Sequence, residues 1–244
     1  MRKLLLILSP VLLFVTGCGA NYKFTYPDDH RKLVKLYDKP KYPLNVGVLP
    51  LEDERGNTNN SGGYFLYLVP LMPFGEAHYN RPESAKPFNT ISEFDFSPAE
   101  DLAKAIATSL RNSNLFENVY FSYGPGDSDL LITGSMKSTE WKGKVYSYGL
   151  SVFGPNLWFF GLPAGSSYNQ LALDLYLKKP DTKEILWDYS INKERRIVQG
   201  LYYEWGKDVK GYSLLMQDGM NEAVKSLAER LNNIPLENMQ KKNE

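Results

Sequence analysis

Leu171-Ala172-Leu173-Asp174-Leu175-Tyr176-Leu177 places a leucine at every second position. A period of two is the repeat of a β-strand, whose successive side chains point to opposite faces. Slipping such a strand by one residue would turn every leucine to water, so the stretch demands a sheet with one buried face. Its surroundings predict a hairpin. Residues 167–178 and 185–192 read as strands, and Lys179-Pro180-Asp181-Thr182 between them is a turn sequence. Proline presets φ there, and aspartate bonds its own backbone.

Helical periodicity appears twice. Ser97-Pro98-Ala99-Glu100 reads as a capping box with proline at the first helical position. Leu102, Ile106 and Leu110, beside Ala99, Ala103 and Ala107, continue it as one apolar stripe, and residues 112–114 stop it. A second helix is predicted from about Ser213 to Leu231, with Met216, Met220, Ala223, Val224, Leu227 and Leu231 on one face. Further strands are expected at residues 44–49, ended by Pro50, and at 115–121, followed by a Gly124-Pro125-Gly126 turn. Residues 129–141 and 144–153 are expected to form a hairpin about Lys142-Gly143. Residues 52–63 and 75–96 read as polar loops, residues 32–37 as one short helical turn, and 193–210 show no clear element. This order predicts an α+β fold: a mixed, mainly antiparallel sheet with two helices packed on one face.

The beginning of the chain is of a different kind. Met1-Arg2-Lys3 is basic, and residues 4–15 are apolar apart from Ser9 and Pro10. That is the pattern of a secretory signal, and it is well short of the roughly 20 apolar residues that span a bilayer as a helix. Val15-Thr16-Gly17-Cys18 looks like a lipobox, and Cys18 is the only cysteine of the chain. A lone cysteine forms no internal disulfide, and acylation accounts for it better than a stray thiol beside the cut site of an ordinary secreted protein. Each buried CH₂ of an acyl chain contributes roughly 0.8 kcal/mol, so two or three chains hold a protein firmly. Gly19 stands where an aspartate would favour retention at the inner membrane, which points to the outer membrane and its periplasmic face. The expected organisation is a signal peptide (1–17), a lipidated tether (18–43), one α+β domain (44–232) and a loose charged tail (233–244).

Without the first 17 residues, 227 remain (244 − 17), enough for one core built by burial alone. The full chain has 28 basic and 28 acidic residues. Removing Arg2 and Lys3 leaves 26 against 28, so no basic excess suggests nucleic-acid binding.

In their order, several pieces resemble the TolB-N-terminal-like periplasmic domains. They are Val46-Gly47-Val48-Leu49-Pro50-Leu51 with Glu52-Asp53 after it, the capped helix, and Leu115-Phe116-Glu117-Asn118-Val119. Asp129-Leu130-Leu131-Ile132-Thr133-Gly134 and Glu184-Ile185-Leu186-Trp187 follow, so the resemblance covers about residues 44–231. Such domains occur in the curli-secretion channel lipoprotein, in the activator lipoprotein of penicillin-binding proteins and in the Pel polysaccharide lipoprotein. The resemblance implies binding to other envelope proteins or assembly into rings. It implies no catalytic residues.

Motifs for chemistry are missing. His30, in Asp28-Asp29-His30, and His78 have no partner at metal-ligand spacing and read as solvated. There is no G-x-S-x-G elbow, and Gly143-Lys144 lacks the rest of a phosphate loop. Glu52-Asp53-Glu54, Asp127 and Asp129 read as solvated carboxylates. A carboxylate pair assembled by the fold, as in a hydrolase of cell-wall or surface glycans, is the alternative from another class.

Two connections are apolar where loops are normally polar. One is Tyr64-Phe65-Leu66-Tyr67 with the residues up to 74, and the other runs over 154–165 with Leu157, Trp158, Phe159, Phe160 and Leu162. Its glycine and proline flanks argue against a helix or strand across it. Three readings stand: the loops cap the core, they contact a protein or a second copy, or they dip into a bilayer with Trp158 and Tyr64 at headgroup level. Tyr146, Tyr148, Leu150 and Val152, alternating with smaller residues, suit either a membrane-inserting hairpin or a sheet facing a helix. The sequence therefore predicts a non-enzymatic, lipid-anchored envelope protein. It carries no cofactor beyond the lipid on Cys18, and it binds a protein partner or assembles with itself, with a ring-forming export subunit as the variant.

Overall fold

The strand announced by the leucine repeat is β10 (Gly165–Lys178), and the sheet is laid out along it. The computed structural model describes residues 21–85 and 93–239. On one side of β10, β11 (Ile185–Gln199) pairs antiparallel along the whole length, from Gly165↔Gln199 to Lys178↔Ile185. No described strand pairs with the other side of β11, so it is an open edge. On the other side of β10, two strands share its length. β9 (Trp141–Tyr146) takes Gly165 to Asn169, and β8 (Leu130–Ser138) takes Ala172 to Lys178, both antiparallel.

Strands β8 and β9 thus lie in line and do not pair with each other. The expected hairpin at Lys142-Gly143 does not form; the break falls at Thr139-Glu140. Gly143 lies inside β9 because the Trp141 ring folds flat over it. A Cβ there would stand 2.0 Å from the ring's Cη2 atom, so the glycine serves close approach rather than a turn.

Beyond β9 the sheet continues antiparallel through β5 (Phe74–Tyr79) to β4 (Asn59–Asn60). Beyond β8 it continues parallel through β2 (Tyr42–Val48) to β7 (Phe116–Phe121), with β3 (Glu52–Asp53) on β8. Strand β5 corrects the expected polar loop over 75–96. Its inward residues are Gly75, Ala77 and Tyr79, and the first two are too small to register as an apolar alternation.

The helices α1 (Pro98–Ser113) and α2 (Asp208–Leu231) lie on the sheet face that carries the leucines. The fold is α+β, as expected. Leu171, Leu173, Leu175 and Leu177 are buried against Ile106, Leu110, Met220, Val224 and Leu227. Each such side chain contributes roughly 1.5–3 kcal/mol when fully buried. Gly219 lets α2 settle on β11, since a Cβ there would come within 2.5 Å of Ile191 Cγ2. The start of α1 differs in detail from the predicted box. Asp101, not Glu100, accepts the Ser97 N–H at 2.8 Å, while Glu100 pairs with Lys104.

Residues 24–43 are not a free tether. Strand β1 (Asn21–Lys23) pairs parallel with β6 (Glu93–Asp95), and Phe24 stacks on Phe96 at 5.0 Å. The chain then runs along α2 as a strap. Ser213 Oγ donates to the Thr25 carbonyl at 2.5 Å, Gln217 Nε2 to that of Asp29 at 2.7 Å, and Asn221 Nδ2 to that of Lys32 at 2.9 Å. The short helical turn expected at 32–37 lies earlier, at His30–Lys32. At the other terminus Met239 is fully buried, so the expected loose tail is docked at least that far. Cys18 and the rest of residues 1–20, and residues 240–244, lie outside the described residues.

One ion cluster latches the β8–β9 break. Arg55 is 6% exposed and holds Asp53 (2.9 Å), Glu83 (2.6 Å) and the Thr139 hydroxyl (2.5 Å). Burial alone would depress the guanidinium pKa, but the two carboxylates overcome it and the value is raised. The hydrogen bond from Arg55 in turn holds the Asp53 carboxyl below its ordinary range. A depressed carboxyl stabilises the fold above its unfolded pKa and loses that contribution as pH falls through the folded one. We expect Arg55→Leu to cost about 3 kcal/mol at neutral pH, because Glu83 loses its guanidinium partner and Asp53 keeps only Arg81, at 3.2 Å. Denaturant titration at several pH values should show this deficit shrinking below about pH 4, where an unshifted Asp protonates. A constant deficit would contradict the electrostatic account.

Candidate interaction surface

The end of the β5–β9 pair carries an apolar cap built from segments that are distant in sequence. After Tyr146 the chain leaves β9 because Tyr148 (φ 56°), Gly149 (φ 80°) and Ser151 (φ 52°) adopt left-handed backbone. The Pro73 carbonyl accepts both the Ser147 and Tyr148 N–H groups at 2.9 Å and holds that turn. Residues 148–153 are therefore not the strand their alternation predicted, and no long membrane hairpin forms. The next stretch, expected to be irregular, is a 3₁₀ helix over Ser151–Phe160 that accommodates Pro155 within it.

The second segment is also 3₁₀, at Tyr64–Leu68. It is tied to the first by Ser151 Oγ donating to the Leu68 carbonyl, by Ser147 Oγ donating to that of Met72 (2.7 Å), and by the Leu71 N–H donating to that of Gly149 (2.9 Å). Residues 200–207 complete the cap. Trp205 packs on Trp158 with ring centroids 6.2 Å apart, and Tyr202 donates to the Phe159 carbonyl at 3.1 Å.

What fixes this last segment is Asp208, the first residue of α2, which is fully buried. Its carboxylate accepts from Trp141 Nε1 at 3.2 Å and from Gln199 Nε2, and its carbonyl accepts from Asn169 Nδ2 at 3.2 Å. Gln199 Oε1 in turn takes the Gly206 N–H at 3.0 Å. Strands β9 and β11 thus meet at the Asp208 carboxylate, β10 at the carbonyl of the same residue, and the 200–207 turn joins them through Gln199.

The structure brings the sequence-predicted residues together and sorts them into two layers. Tyr64, Tyr67, Leu157 and Trp158 are half-buried and form the base. Trp158 donates its indole N–H to the Tyr146 carbonyl at 3.0 Å, so it braces the cap and does not project from it. Phe65, Leu66, Phe159, Phe160 and Leu162 face solvent, with Phe160 80% exposed. The loops therefore do not fold back into the core. Leu71 (88% exposed) belongs to the apolar 64–74 stretch of the sequence without being singled out there, and Val152 and Phe153 fall within a predicted strand; Tyr202 and Tyr203 were missed. The signal for the last two was the aromatic Tyr202-Tyr203 run, which lay in a stretch without a predicted element.

Beside the cap, the outer face of the sheet forms a groove of about 820 Å³ lined by Glu76, His78, Lys142, Lys144, Tyr168 and Arg196 among others. Its charges are mutually engaged. Glu140 stands 2.6 Å from His78 and 3.1 Å from Lys142, and Glu194 accepts from Tyr168 at 2.7 Å. The Nε2 atom of His78 is thus buried beside a carboxylate, contrary to its expected solvation. Burial and then the Glu194 bond push the Tyr168 hydroxyl up to about 12. Among the described residues, no three His, Cys, Asp or Glu side chains come together to hold a metal ion.

No family model and no curated protein matches the chain. Solved structures do show similarity. A Xanthomonas campestris protein described by the family model DUF330 is 9% identical, with a TM-score of 0.45, over 89% of this chain and 100% of that one. A PelC dodecamer from Paraburkholderia phytofirmans is 10% identical, with a TM-score of 0.37, over 79% of this chain and 92% of that one. A Helicobacter pylori homologue of neuraminyllactose-binding hemagglutinin is 12% identical, with a TM-score of 0.35, over 90% and 96%.

The two layers make opposite demands on substitution. Phe160→Ser should change the unfolding free energy by less than about 0.5 kcal/mol, as surface changes do, and Leu71→Asn should not lower it, since asparagine accepts the left-handed backbone held at residue 71. Trp158→Ser should cost about 3 kcal/mol through lost packing. Thermal and denaturant unfolding of the three variants tests this, and comparable losses at all three positions would contradict the layering.

Proposed function

We propose that this protein is a lipid-anchored component of the bacterial cell envelope that works by contact, docking through the apolar cap. The observation that carries the reading is the cap itself. Many exposed apolar side chains stand on a base already fixed by hydrogen bonds and ring contacts. Monomeric proteins rarely leave such a patch contiguous without a use for it. Prior ordering also lowers the entropy lost when the surface is covered.

Cys18, acylated, supplies the membrane attachment. The lipobox and the single cysteine support this, and Gly19 supports placement at the periplasmic face of the outer membrane. No helix among the described residues is long and apolar enough to cross a membrane. The order of the TolB-N-terminal-like sequence pieces supports an assembly role in the envelope. In the groove region Glu140 stands against His78 and Lys142 and Glu194 accepts from Tyr168; the preference for contact over glycan hydrolysis rests on the cap.

Mass spectrometry of the mature protein from its own host should find the N-terminus at Cys18 with acyl groups attached. An unmodified Cys18 would remove the anchor. The Leu71→Asn/Phe160→Ser double variant should remain folded and membrane-associated yet fail to restore the phenotype of a deletion strain. Full restoration would sink the role of the cap.

A further inference from the structure

We infer that the occupant of the cap is the lipid bilayer itself, the same leaflet that receives the acyl chains of Cys18. This rests on the anchor reading above and deepens it. Two independent observations carry it.

The first is where the chain enters. The strap runs parallel to α2: Thr25 meets Ser213, Asp29 meets Gln217 and Lys32 meets Asn221. Followed backwards, it climbs toward the N-terminal end of that helix. From Ser213 to Asp208 is one and a half turns, roughly 7.5 Å of helix. Immediately before Asp208 lie the residues that clasp the cap through Trp205 and Tyr202. Asn21, the first described residue, therefore lies toward the pole where the cap stands. Cys18 precedes Asn21 by three residues (21 − 18). Three residues reach at most about 11 Å, so a membrane holding the acyl chains lies against that pole.

The second is the chemistry of the cap. No Asp, Glu, Lys or Arg occurs from Gly56 to Gly75, from Val145 to Leu173, or from Ile197 to Tyr203; in the rest of the 200–207 turn the charges of Glu204 and Lys207 pair with each other at 3.1 Å. Protein interfaces enrich arginine beside aromatic residues within a polar rim, and no arginine stands among these apolar side chains. A surface that enters the boundary between headgroups and acyl chains avoids charge on its apolar face and sinks about 5–10 Å. Around the apolar tips of Leu71, Phe153 and Phe160 stand Tyr148, Tyr202 and Tyr203, rings with an apolar body and a polar end. Such side chains are enriched at headgroup level. Leu71 also holds a left-handed backbone (φ 69°) while almost fully exposed. A bulky residue in that conformation is strained, and strain of this kind gathers at functional positions.

The test uses the acylated full-length protein in phosphatidylethanolamine–phosphatidylglycerol vesicles with brominated acyl chains. Because Cys18 is the only native cysteine and acylation blocks it, Leu71→Cys, Phe160→Cys and Asp181→Cys each offer one thiol for a fluorescent probe. Asp181 lies in the turn after β10, at the end away from the cap. We expect bromolipid to quench the probes at 71 and 160 at least threefold more than the probe at 181. Equal quenching at all three positions overturns the inference, as does crosslinking of the position-71 probe to a second copy in the same vesicles. An acylated protein whose probes stay wet loses only the bilayer as occupant, and docking to a protein stands. A missing acyl mass on Cys18 removes the anchor reading and this inference with it.

Discussion

Asp208 is a carboxylate taken fully out of water, and an uncompensated charge there would cost several kcal/mol. It is tolerated because Trp141 and Gln199 donate to it and because it opens a helix, where backbone N–H groups and the helix dipole favour negative charge. Each donor comes from a different strand, so the charge can be satisfied only when β9, β11 and the start of α2 are all in place. Asn169 adds β10 by donating to the same residue's carbonyl. Removing one partner leaves the others wrongly paired in a dry setting. This gives the arrangement an all-or-none character that apolar packing alone does not supply.

That closure reaches the cap through Gln199, whose amide oxygen takes the Gly206 N–H and so shapes the turn that presents Tyr202 and Trp205. The surface with fewest buried contacts is thereby fastened to one of the most deeply buried groups. An apolar surface that collapsed when uncovered would bury itself and have nothing to offer. Here the 3₁₀ segments, the turn at Ser147–Gly149 and the indole of Trp158 keep the outer side chains displayed.

Much of this fold was legible because its signals are local. The leucine alternation marked β10, the turn after it marked the β10–β11 hairpin, and Ser97-Pro98 marked the start of α1. What escaped depends on partners distant in sequence. Strand β5 turns only Gly75, Ala77 and Tyr79 inward, since small residues suffice where Tyr64 and Trp141 fill the space. Residues 24–43 looked like a tether because their backbone groups are met by Ser213, Gln217 and Asn221, polar side chains that leave no apolar period. Gly143 suggested a turn, yet it is the floor under an aromatic ring. The cap was half visible. Its apolar loops stood out by composition, but Val152 and Phe153 were hidden in a false strand, and which rings brace and which project depends on hydrogen bonds that sequence does not display.

The open edge of β11 bears on how copies of this chain can meet. Fifteen residues of strand offer unpaired backbone groups to any passing strand, normally a template for runaway pairing. Across its middle stand Lys193, Glu194, Arg195 and Arg196. Four consecutive ionised side chains line both faces of the strand just where an incoming chain would have to register. The edge is insulated: a neighbour gains backbone bonds there only by stripping water from charges. Proteins crowded together on a two-dimensional surface meet often, and such insulation lets them collide and part without fusing their sheets.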